Sequence, residues 1–325
     1  MTRRPEAVQV FDRYAPGMAG PFLVIANSSA GSTDDDALAA ATTVLREYGE
    51  TEVLHTCDAD ELDDALDHRD GRRLVVAGGD GSLHAVVAVL HRRGELTDGP
   101  LALLPLGTGN DFARGLALPA DPADAARIAA DGTPRTLDLI LDDAGGVVVN
   151  SVHAGTGAEA ARAGAGWKER FGRLGYLVGA IKAIVRPPAV RVRVVVDGQE
   201  VCGDRDPILQ VALGNGAYVG GGAPLTPGAD PSDGLIQVLV STATGPLARL
   251  VYAAGLLIGR HHHRADVHTV SGKVVEVSGQ SFWCSTDGEL TGPYTSRTWR
   301  IDGAAYSLMT GAPAGSPPAP PSGQR

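Results

Sequence analysis

Residues 74–82 read LVVAGGDGS, a short apolar run that ends in three glycines placed around one carboxylate, Asp80. The residues that follow, 83–90, repeat apolar side chains with helical spacing, so the order is a strand, a tight turn and a helix. Glycine lets a ligand approach the backbone closely, and the free N–H groups at the start of a helix attract anions. The stretch therefore predicts an anion-binding turn, with phosphate as the usual anion, in an α/β fold.

Asp80 sets the charge of this turn. A carboxylate beside a phosphate is repelled unless a cation lies between them, and a Mg2+ ion carried by a nucleotide would supply that cation. The alternative is a plain corner between strand and helix, in which Asp80 caps the helix. Residues 74–82 alone leave both interpretations open.

A second strand and turn follow at residues 101–114. Residues 101–104, LALL, form another buried-strand run, and residues 105–114, PLGTGNDFAR, continue it with glycines and small polar side chains. Ligands of open parallel sheets bind at the carboxyl ends of the strands. Two such turns on one sheet edge favour a ligand site over two capped corners.

Both turns resemble motifs of the diacylglycerol kinase catalytic domain. Residues 78–82 resemble its Gly-Gly-Asp-Gly-Thr motif, and residues 105–114 resemble the more specific Pro-x-Gly-Thr-x-Asn-Asp-Phe-Ala-Arg motif. The family includes bacterial lipid kinases and the sphingosine and ceramide kinases, and the resemblance runs from about Phe22 to about Leu308. It implies a kinase that uses ATP and Mg2+ to phosphorylate the hydroxyl of diacylglycerol or a related lipid.

The resemblance also implies which residues contact the nucleotide. They are Asn27, Gly31, Thr56, Gly78, Gly79, Asp80, Gly81, Ser82, Gly107, Thr108 and Asn110. The loop at residues 27–32 keeps only Asn27 and Gly31 of the family's Asn-Pro-x-Ser-Gly pattern. After the turn at residues 78–82, His84 and Ala85 replace the family's Asn and Glu, and we expect His84 to be solvated at the first helical turn rather than to act as a base.

The composition limits the classes of function. The net charge of −10 over 325 residues disfavours general nucleic-acid binding. The three cysteines show neither metal spacing nor a disulfide framework. No signal-peptide pattern and no apolar run of membrane-spanning length is evident, so we expect a cytoplasmic protein, with peripheral contact at the inner face of the membrane. The oligomeric state stays open, with a homodimer as one option.

The pattern of predicted strands and helices divides the chain into two parts. Residues 1–20 are expected to form a flexible arm, and strands alternate with helices over 21–142, as in a doubly wound parallel α/β domain of the NAD kinase and phosphofructokinase type. Closely spaced strands over 143–310, with a hairpin signal at Asp197-Gly198, predict an antiparallel β-sandwich domain. The resemblance adds that the last strand returns to the first domain in some relatives. Residues 311–325, rich in Pro, Ala and Gly, are expected to form a disordered tail.

Asp287-Gly288-Glu289 is the candidate acid–base element. By itself, Asp-Gly is the commonest two-residue hairpin loop. The resemblance implies instead that these acids activate the lipid hydroxyl, and a hydroxyl that attacks a γ-phosphate needs a carboxylate to accept its proton. Glu289 is assigned as this base, with Asp287 as its rival and Asp80 as the third catalytic residue.

A structural metal site is implied at a second acidic turn. By resemblance, Mg2+ is held by the side chain of Asp233 and by the backbone at Asp230 and Leu235, and Asp138 joins a magnesium and water network between the domains. The alternatives are a capped turn without metal and, for Asp138, an acid on an edge strand that faces water.

The segment 162–193 combines basic residues with aromatic and aliphatic ones. It predicts either a solvated amphipathic helix packed on the sandwich or a membrane-docking surface that delivers lipid.

Two other functions of the protein stay open. The first is a soluble-substrate kinase, because NAD kinases and phosphofructokinases share the Gly-Gly-Asp-Gly element. The second is a non-catalytic nucleotide or lipid sensor, because Ala85 and the loop at residues 27–32 depart from the family pattern.

Overall fold

The computed structural model describes residues 20–27, 32–155 and 189–311. Several predictions lie outside these residues: the flexible arm, the nucleotide contact of Gly31, the basic segment between Arg162 and Arg186, and the tail after Gly311.

The first half of the chain forms the predicted parallel α/β layer. Its sheet has four parallel strands in the order β2-β1-β3-β4, which are β1 (Phe22–Asn27), β2 (Thr51–Thr56), β3 (Arg73–Gly78) and β4 (Ala102–Pro105). The helices between and after these strands are α1 (Ser32–Tyr48), α2 (Ala59–Asp67), α3 (Asp80–Arg93), α4 (Asp111–Gly115) and α5 (Pro122–Asp131).

Both faces of this sheet are apolar because both are covered by helices. Along β1, Phe22 and Val24 pack with α1 and α5, whereas Leu23 and Ile25 pack with α2 and α3. Successive side chains of a strand point to opposite faces, so a continuous apolar run is what a doubly covered strand requires. This packing confirms the α/β assignment of the first half.

The second half forms an antiparallel sheet of ten strands. Along the main path the order is β12-β11-β10-β7-β13-β14-β5-β6, and β8 pairs with β13 and β9. The strands are β5 (Thr133–Asp142), β6 (Val147–Val148), β7 (Ser151–Gly155), β8 (Val192–Val196), β9 (Gln199–Cys202), β10 (Gln210–Gly214), β11 (Ile236–Ser241), β12 (Val267–Gly272), β13 (Val274–Thr286) and β14 (Glu289–Thr310). The antiparallel architecture is confirmed, and the β8–β9 hairpin turns at Asp197-Gly198 as predicted.

Strand β5 differs from its prediction. The sequence pattern grouped residues 135–140 with the parallel strands, but β5 pairs antiparallel with β14 and β6. The reason lies far along the chain: β14 has 22 residues, enough to pair with β13 at one end and with β5 along the rest. A local pattern cannot show this pairing.

Strand β14 also reaches the first sheet. The N–H of Leu101, beside β4, donates to the carbonyl of Ser307, and the N–H of Met309 donates to the carbonyl of Leu101, both at 2.8 Å. Leu137 of β5 and Tyr306 of β14 are buried in the same apolar core as helices α2 and α3. The two halves of the chain therefore share one core.

A helix that the sequence pattern did not predict follows β11. Helix α6 (Pro246–Leu257) and a short 3-10 helix at His261–His263 cover the outer side of β10 and β11, where Tyr252 packs with Leu209 and Leu239. Among the described residues, no helix has the length and apolar character needed to cross a membrane.

Candidate active site

An open cleft lies at the carboxyl edge of the parallel sheet. Strand β1 has β2 on one side and β3 on the other, so the chain leaves β1 and β3 towards opposite faces of the sheet. A crevice opens at such a switch point, and ligands of α/β sheets bind there. The cleft holds about 600 Å³ of empty space and is lined by Ala26, Asn27, Asp35, Leu38, His55, Ala77, Gly78, Gly79, Ser82, Leu106 and Gly107.

The first turn of α3 lines this cleft without a capping side chain. Asp58 and Asp121 immediately precede helices α2 and α5, and each of these carboxylates accepts two N–H groups of the helix that it caps. Helix α3 begins after Gly79, which offers no side chain for this purpose. Its first N–H groups are therefore available to an external anion, and the helix dipole adds to the attraction.

The two glycine turns touch each other. A Cβ atom added to Gly107 would lie 2.5 Å from the Cα of Gly79, and one added to Gly79 would lie 3.2 Å from the Cα of Gly107. The N–H of Leu106 donates to the carbonyl of Gly78 at 3.1 Å. A side chain at Gly107 would overlap the backbone of Gly79, so the two motifs form one continuous backbone surface.

Asn110 holds the second turn in shape. It adopts a left-handed conformation, φ 50°, which asparagine tolerates better than most residues. Its side-chain amide donates to the carbonyls of Pro105 and Gly107 at 2.8 and 2.6 Å. Its buried Oδ1 has no hydrogen-bond partner among the described residues. Asn110 thus supports the loop and leaves one acceptor without a partner.

Asp80 caps a helix, but not its own. Its carboxylate accepts the N–H groups of Asp111 and Phe112, each at 2.9 Å, and so caps α4. Burial raises the pKa of Asp80, the two backbone hydrogen bonds oppose that rise, and the charges of Asp111 and Asp287 add to it. A nearby cation would offset both the burial and the like charges, so the residue fits a Mg2+ ion brought with a nucleotide.

Asp111 is a site residue that the sequence analysis did not select. It is buried, one carboxylate oxygen accepts the N–H of Gly221 at 2.9 Å, and the other has no partner among the described residues. A Cβ atom on Gly109 would lie 3.3 Å from an oxygen of Asp80 and 3.5 Å from one of Asp111, so the two acids flank this glycine. The residue lies inside the quoted motif 105–114, which was the available signal.

Asp287 is saturated with hydrogen-bond donors. It occupies the turn between β13 and β14 with φ 47°, and its side chain is 2% exposed. Its carboxylate accepts the N–H groups of Val149, Asn150 and Ser151 at 2.7–2.9 Å and contacts Nδ1 of His84 at 2.8 Å. Because its oxygens are engaged by four donors, Asp287 is poorly placed to accept a substrate proton.

His84 is not solvated, so that prediction is wrong. Its side chain is 18% exposed and pairs with Asp287 across the two halves of the chain. Burial lowers the pKa of His84, but the hydrogen bond and charge of Asp287, together with the charge of Glu289, outweigh it and raise the pKa above its ordinary value. His84 therefore carries a positive charge beside the acidic turn in more of the molecules than a solvated histidine would.

Glu289 is the exposed acid of this turn. It is the first residue of β14 and lies near enough to His84 for its charge to raise the histidine pKa. The turn thus presents one buried, fully bonded carboxylate and one exposed carboxylate. Of the two predicted candidates for the base, Glu289 is the one whose carboxylate is exposed and free to accept a substrate proton.

The predicted metal turn is assembled in the structure. The carboxylate of Asp233 accepts the N–H of Leu235 at 2.9 Å, and the carbonyl of Asp230 accepts the N–H of Asp233 at 3.3 Å. Burial raises the pKa of Asp233, as do the charges of Asp230 and Asp138, while the bond from Leu235 opposes the rise. A cation would relieve this repulsion, so the turn fits a hard metal ion.

Asp138 anchors that turn. Its two carboxylate oxygens accept the N–H groups of Gly234 and Ala304 at 2.7 and 2.8 Å, and its own N–H donates to the carbonyl of Pro231. The residue is 3% exposed, so it does not face water as an edge-strand acid would. Asp138 ties β5 to the 230–235 turn and to β14.

Comparison with known proteins identifies the family. The model of the diacylglycerol kinase catalytic domain matches residues 21–141, and that of the YegS C-terminal NAD kinase β-sandwich-like domain matches residues 150–309. A protein of Xanthomonas euvesicatoria named "probable lipid kinase YegS-like" is 32% identical over 88% of this chain and 94% of its own. The chain belongs to the diacylglycerol and lipid kinase family.

Other members of the lipid kinase family align over different lengths. The diacylglycerol kinase of Mycobacterium tuberculosis H37Rv is 31% identical over 72% of this chain and 76% of its own. The chain spans about half, 55%, of a YegS-like relative from Stenotrophomonas maltophilia, at 36% identity. A crystal structure of a diacylglycerol kinase from Bacillus anthracis has a TM-score of 0.73, 24% identity, and covers 91% of this chain and 98% of its own, which establishes the fold alone.

The cleft at the carboxyl edge of the parallel sheet contains part of the predicted nucleotide set. Asn27, Gly78, Gly79, Ser82 and Gly107 line it. Six of its lining residues were not selected from the sequence, namely Ala26, Asp35, Leu38, His55, Ala77 and Leu106. Five predicted residues lie outside the lining, namely Thr56, Asp80, Gly81, Thr108 and Asn110. Of these, Thr56 is aligned with Asn27 in the pairing of β1 with β2. Asp80 and Asn110 stabilise the loops through hydrogen bonds from their side chains to backbone groups.

Proposed function

We propose that this protein is an ATP- and Mg2+-dependent lipid kinase that transfers the γ-phosphate of ATP to the hydroxyl of diacylglycerol or a related lipid. The observation that carries the proposal is the pair formed by His84 and Asp287, 2.8 Å apart. It holds the Asp-Gly-Glu turn against the helix that begins at the phosphate-binding turn. An acceptor hydroxyl at Glu289 would therefore lie close to the end of a triphosphate seated in the cleft.

The glycine surface supplies the nucleotide part of the site. The uncapped start of α3 and the contact between Gly79 and Gly107 present backbone N–H groups and no bulky side chains to the phosphates. Asp80 and Asp111 would hold the Mg2+ ion that accompanies ATP, and that ion neutralises charge on the phosphates when bound. A second Mg2+ would be held at Asp233 and at the backbone of Asp230 and Leu235, with Asp138 behind the turn.

Glu289 would act as the general base. It takes the proton of the lipid hydroxyl while the hydroxyl oxygen forms a bond to the γ-phosphorus, and the bond from that phosphorus to the bridging oxygen of ADP breaks. Asp287 and His84 are positioning residues, because Asp287 fixes the turn through backbone N–H groups and His84 couples it to α3. The cytoplasmic location at the inner face of the membrane belongs to this proposal.

Transfer of radiolabelled phosphate from ATP to a panel of lipids in mixed micelles, with and without Mg2+, tests the proposal. Diacylglycerol, monoacylglycerol, ceramide and sphingosine cover the lipid acceptors, and NAD and sugar phosphates cover the soluble ones. A labelled lipid that requires Mg2+ supports the proposal. A labelled soluble acceptor with no labelled lipid contradicts it, and ATP binding without transfer to any acceptor would favour a sensor.

A further inference from the structure

Helix α6 carries its large apolar side chains on the outside. Leu247, Leu257 and the following residue Ile258 are 74%, 71% and 68% exposed, and Leu250 and Val251 are about half exposed. Their spacing places all of them on one face of the helix. A surface helix of a globular protein normally turns such a face towards the core. This apolar face (Leu247, Leu250, Val251, Leu257 and Ile258) is therefore exceptional.

The inward side of the same helix is partly polar. Arg249 and Tyr252 are 8% and 4% exposed, and the Nε of Arg249 and the hydroxyl of Tyr252 have no hydrogen-bond partner among the described residues. Tyr252 packs with Leu209, Leu239 and other buried side chains, which fixes the rotation of the helix. The outward direction of the leucines is thus a feature of the packed fold rather than of a loose helix.

The length of α6 excludes a membrane span. Twelve residues reach about 18 Å at 1.5 Å per residue, whereas the hydrocarbon core of a bilayer is about 30 Å thick. A short helix with one apolar face lies in the plane of the membrane interface instead.

The charge around α6 suits an anionic lipid surface. The chain carries 38 acidic residues, yet none occurs between Gly234 and Ala265. Arg260 and His263, just beyond the apolar face, are exposed. The next acid, Asp266, is paired with Arg264 at 2.6 Å. On a chain with a net charge of −10, this acid-free run offers little repulsion to an anionic membrane.

One loop connects α6 with the candidate active site. In the loop 216–226, the N–H of Gly221 donates to Asp111, beside Asp80. Further along, the carbonyl of Leu225 contacts the Nε2 of His261 at 2.8 Å, just after the end of α6. The apolar face therefore belongs to the same structural unit as the acidic part of the site, a placement that suits delivery of a membrane lipid.

We propose that the apolar face of α6 is the surface by which the protein docks on an anionic bilayer. Its leucines enter the boundary between headgroups and acyl chains, and Arg260 and His263 face lipid phosphates. This proposal rests on the proposed function in one respect: a lipid acceptor gives the docking its purpose. It places the docking surface between β11 and β12, whereas the sequence pattern favoured the segment 162–193.

Co-sedimentation with vesicles of phosphatidylcholine and phosphatidylglycerol tests the surface. The double variant Leu247→Gln/Leu257→Gln should lose roughly tenfold or more of its partitioning into vesicles, because it removes two exposed leucines from the inserted face. Val274→Gln is the matched control, since Val274 is an exposed apolar residue on β13 outside the helix, and it should bind as the unmodified chain does. Both substituted leucines are more than two-thirds exposed, so the fold should tolerate their replacement.

The outcomes separate docking from catalysis. Unchanged vesicle binding by the double variant overturns the proposal. If sedimentation velocity without vesicles also shows a dimer that the double variant dissociates, the apolar face is a dimer interface instead. Vesicle binding needs no phosphoryl transfer, so α6-dependent binding with no labelled lipid would reject the proposed function and keep the surface. Phosphorylation of a soluble short-chain diacylglycerol without any vesicle binding would support the proposed function and reject the docking surface.

Discussion

The Nδ1 atom of His84 lies 2.8 Å from a carboxylate oxygen of Asp287, a residue 203 positions away in the chain. The contact joins the helix that starts at the candidate phosphate-binding turn with the turn that carries the candidate base. It also places a positive charge beside Asp287, near enough to Glu289 to interact with its charge, whenever the histidine is protonated.

Replacement of His84 by Asn should make stability less dependent on pH. The pKa of His84 is raised in the folded state, so its pairing stabilises the protein fully below the unfolded value of about 6.5 and is lost as pH rises through the higher folded pKa. We expect the variant to be less stable by about 1.5–3 kcal/mol at low pH, the range for hydrogen bonds to charged groups, and by less above the folded pKa. Denaturant unfolding across pH measures this, with His268→Asn as an exposed control. A constant difference at all pH values would contradict the ion pair.

Glu289→Gln and Asp287→Ala should fail in different ways. Glu289 is exposed, so its variant should keep its melting temperature and ATP affinity while kcat falls by about 10²–10⁴, the range for loss of a general base. Asp287→Ala leaves three N–H groups without their acceptor, so we expect a loss of roughly 3 kcal/mol in unfolding free energy. Steady-state kinetics and thermal melts of both variants, with Glu276→Gln as an exposed control on β13, provide the measurement. A destabilised Glu289→Gln with normal kcat would reverse the two roles.

Gly107→Ala should weaken nucleotide binding. The added Cβ would lie 2.5 Å from the Cα of Gly79, a distance that forces the two turns apart. We expect ATP affinity, measured by calorimetry, to fall by roughly tenfold or more, on the scale of about 1–3 kcal/mol that overpacking costs. Gly245→Ala is the control, because a Cβ there meets nothing within 4 Å. Equal ATP affinity in the two variants would show that the contact between the turns does not shape the nucleotide site.

Asp233→Asn should remove a nucleotide-independent effect of Mg2+. If the 230–235 turn holds the ion, Mg2+ without ATP should raise the melting temperature of the unmodified chain, because a ligand that binds the folded state alone stabilises it. The variant should lose that rise, and Asp64→Asn, an exposed acid on α2, should retain it. The same response to Mg2+ in all three proteins would place the effect elsewhere.

The elements that depend on local chemistry were predictable. The strand, turn and helix around residues 74–82 follow from an apolar run, glycines and helical spacing, and the structure places β3 at Arg73–Gly78 and α3 at Asp80–Arg93. The β8–β9 hairpin follows from Asp197-Gly198 in the same way. Each of these signals is contained within a few consecutive residues.

What the sequence did not predict depends on distant partners. Asp80 was considered as a cap for its own helix, but the N–H groups that reach it belong to α4, 31 and 32 residues later. In the sequence, His84 is only a polar residue on a first helical turn. The structure shows that Asp287 lies beside it. Helix α6 was not predicted, and the side chains that a pattern assigns to the core, such as Leu247, face outward.

The long strand β14 has a consequence for how the protein is made. Leu101, in the first half, pairs with Ser307 and Met309, and Leu137 packs in one core with Tyr306, so the first half lacks part of its core until β14 has been made. A nascent chain that ends after residue 142 would expose the edge of the parallel sheet and apolar side chains of β5, the surfaces that promote aggregation. Stable folding of the first half is therefore expected to wait for the synthesis of β14, and its apolar surfaces stay exposed until then.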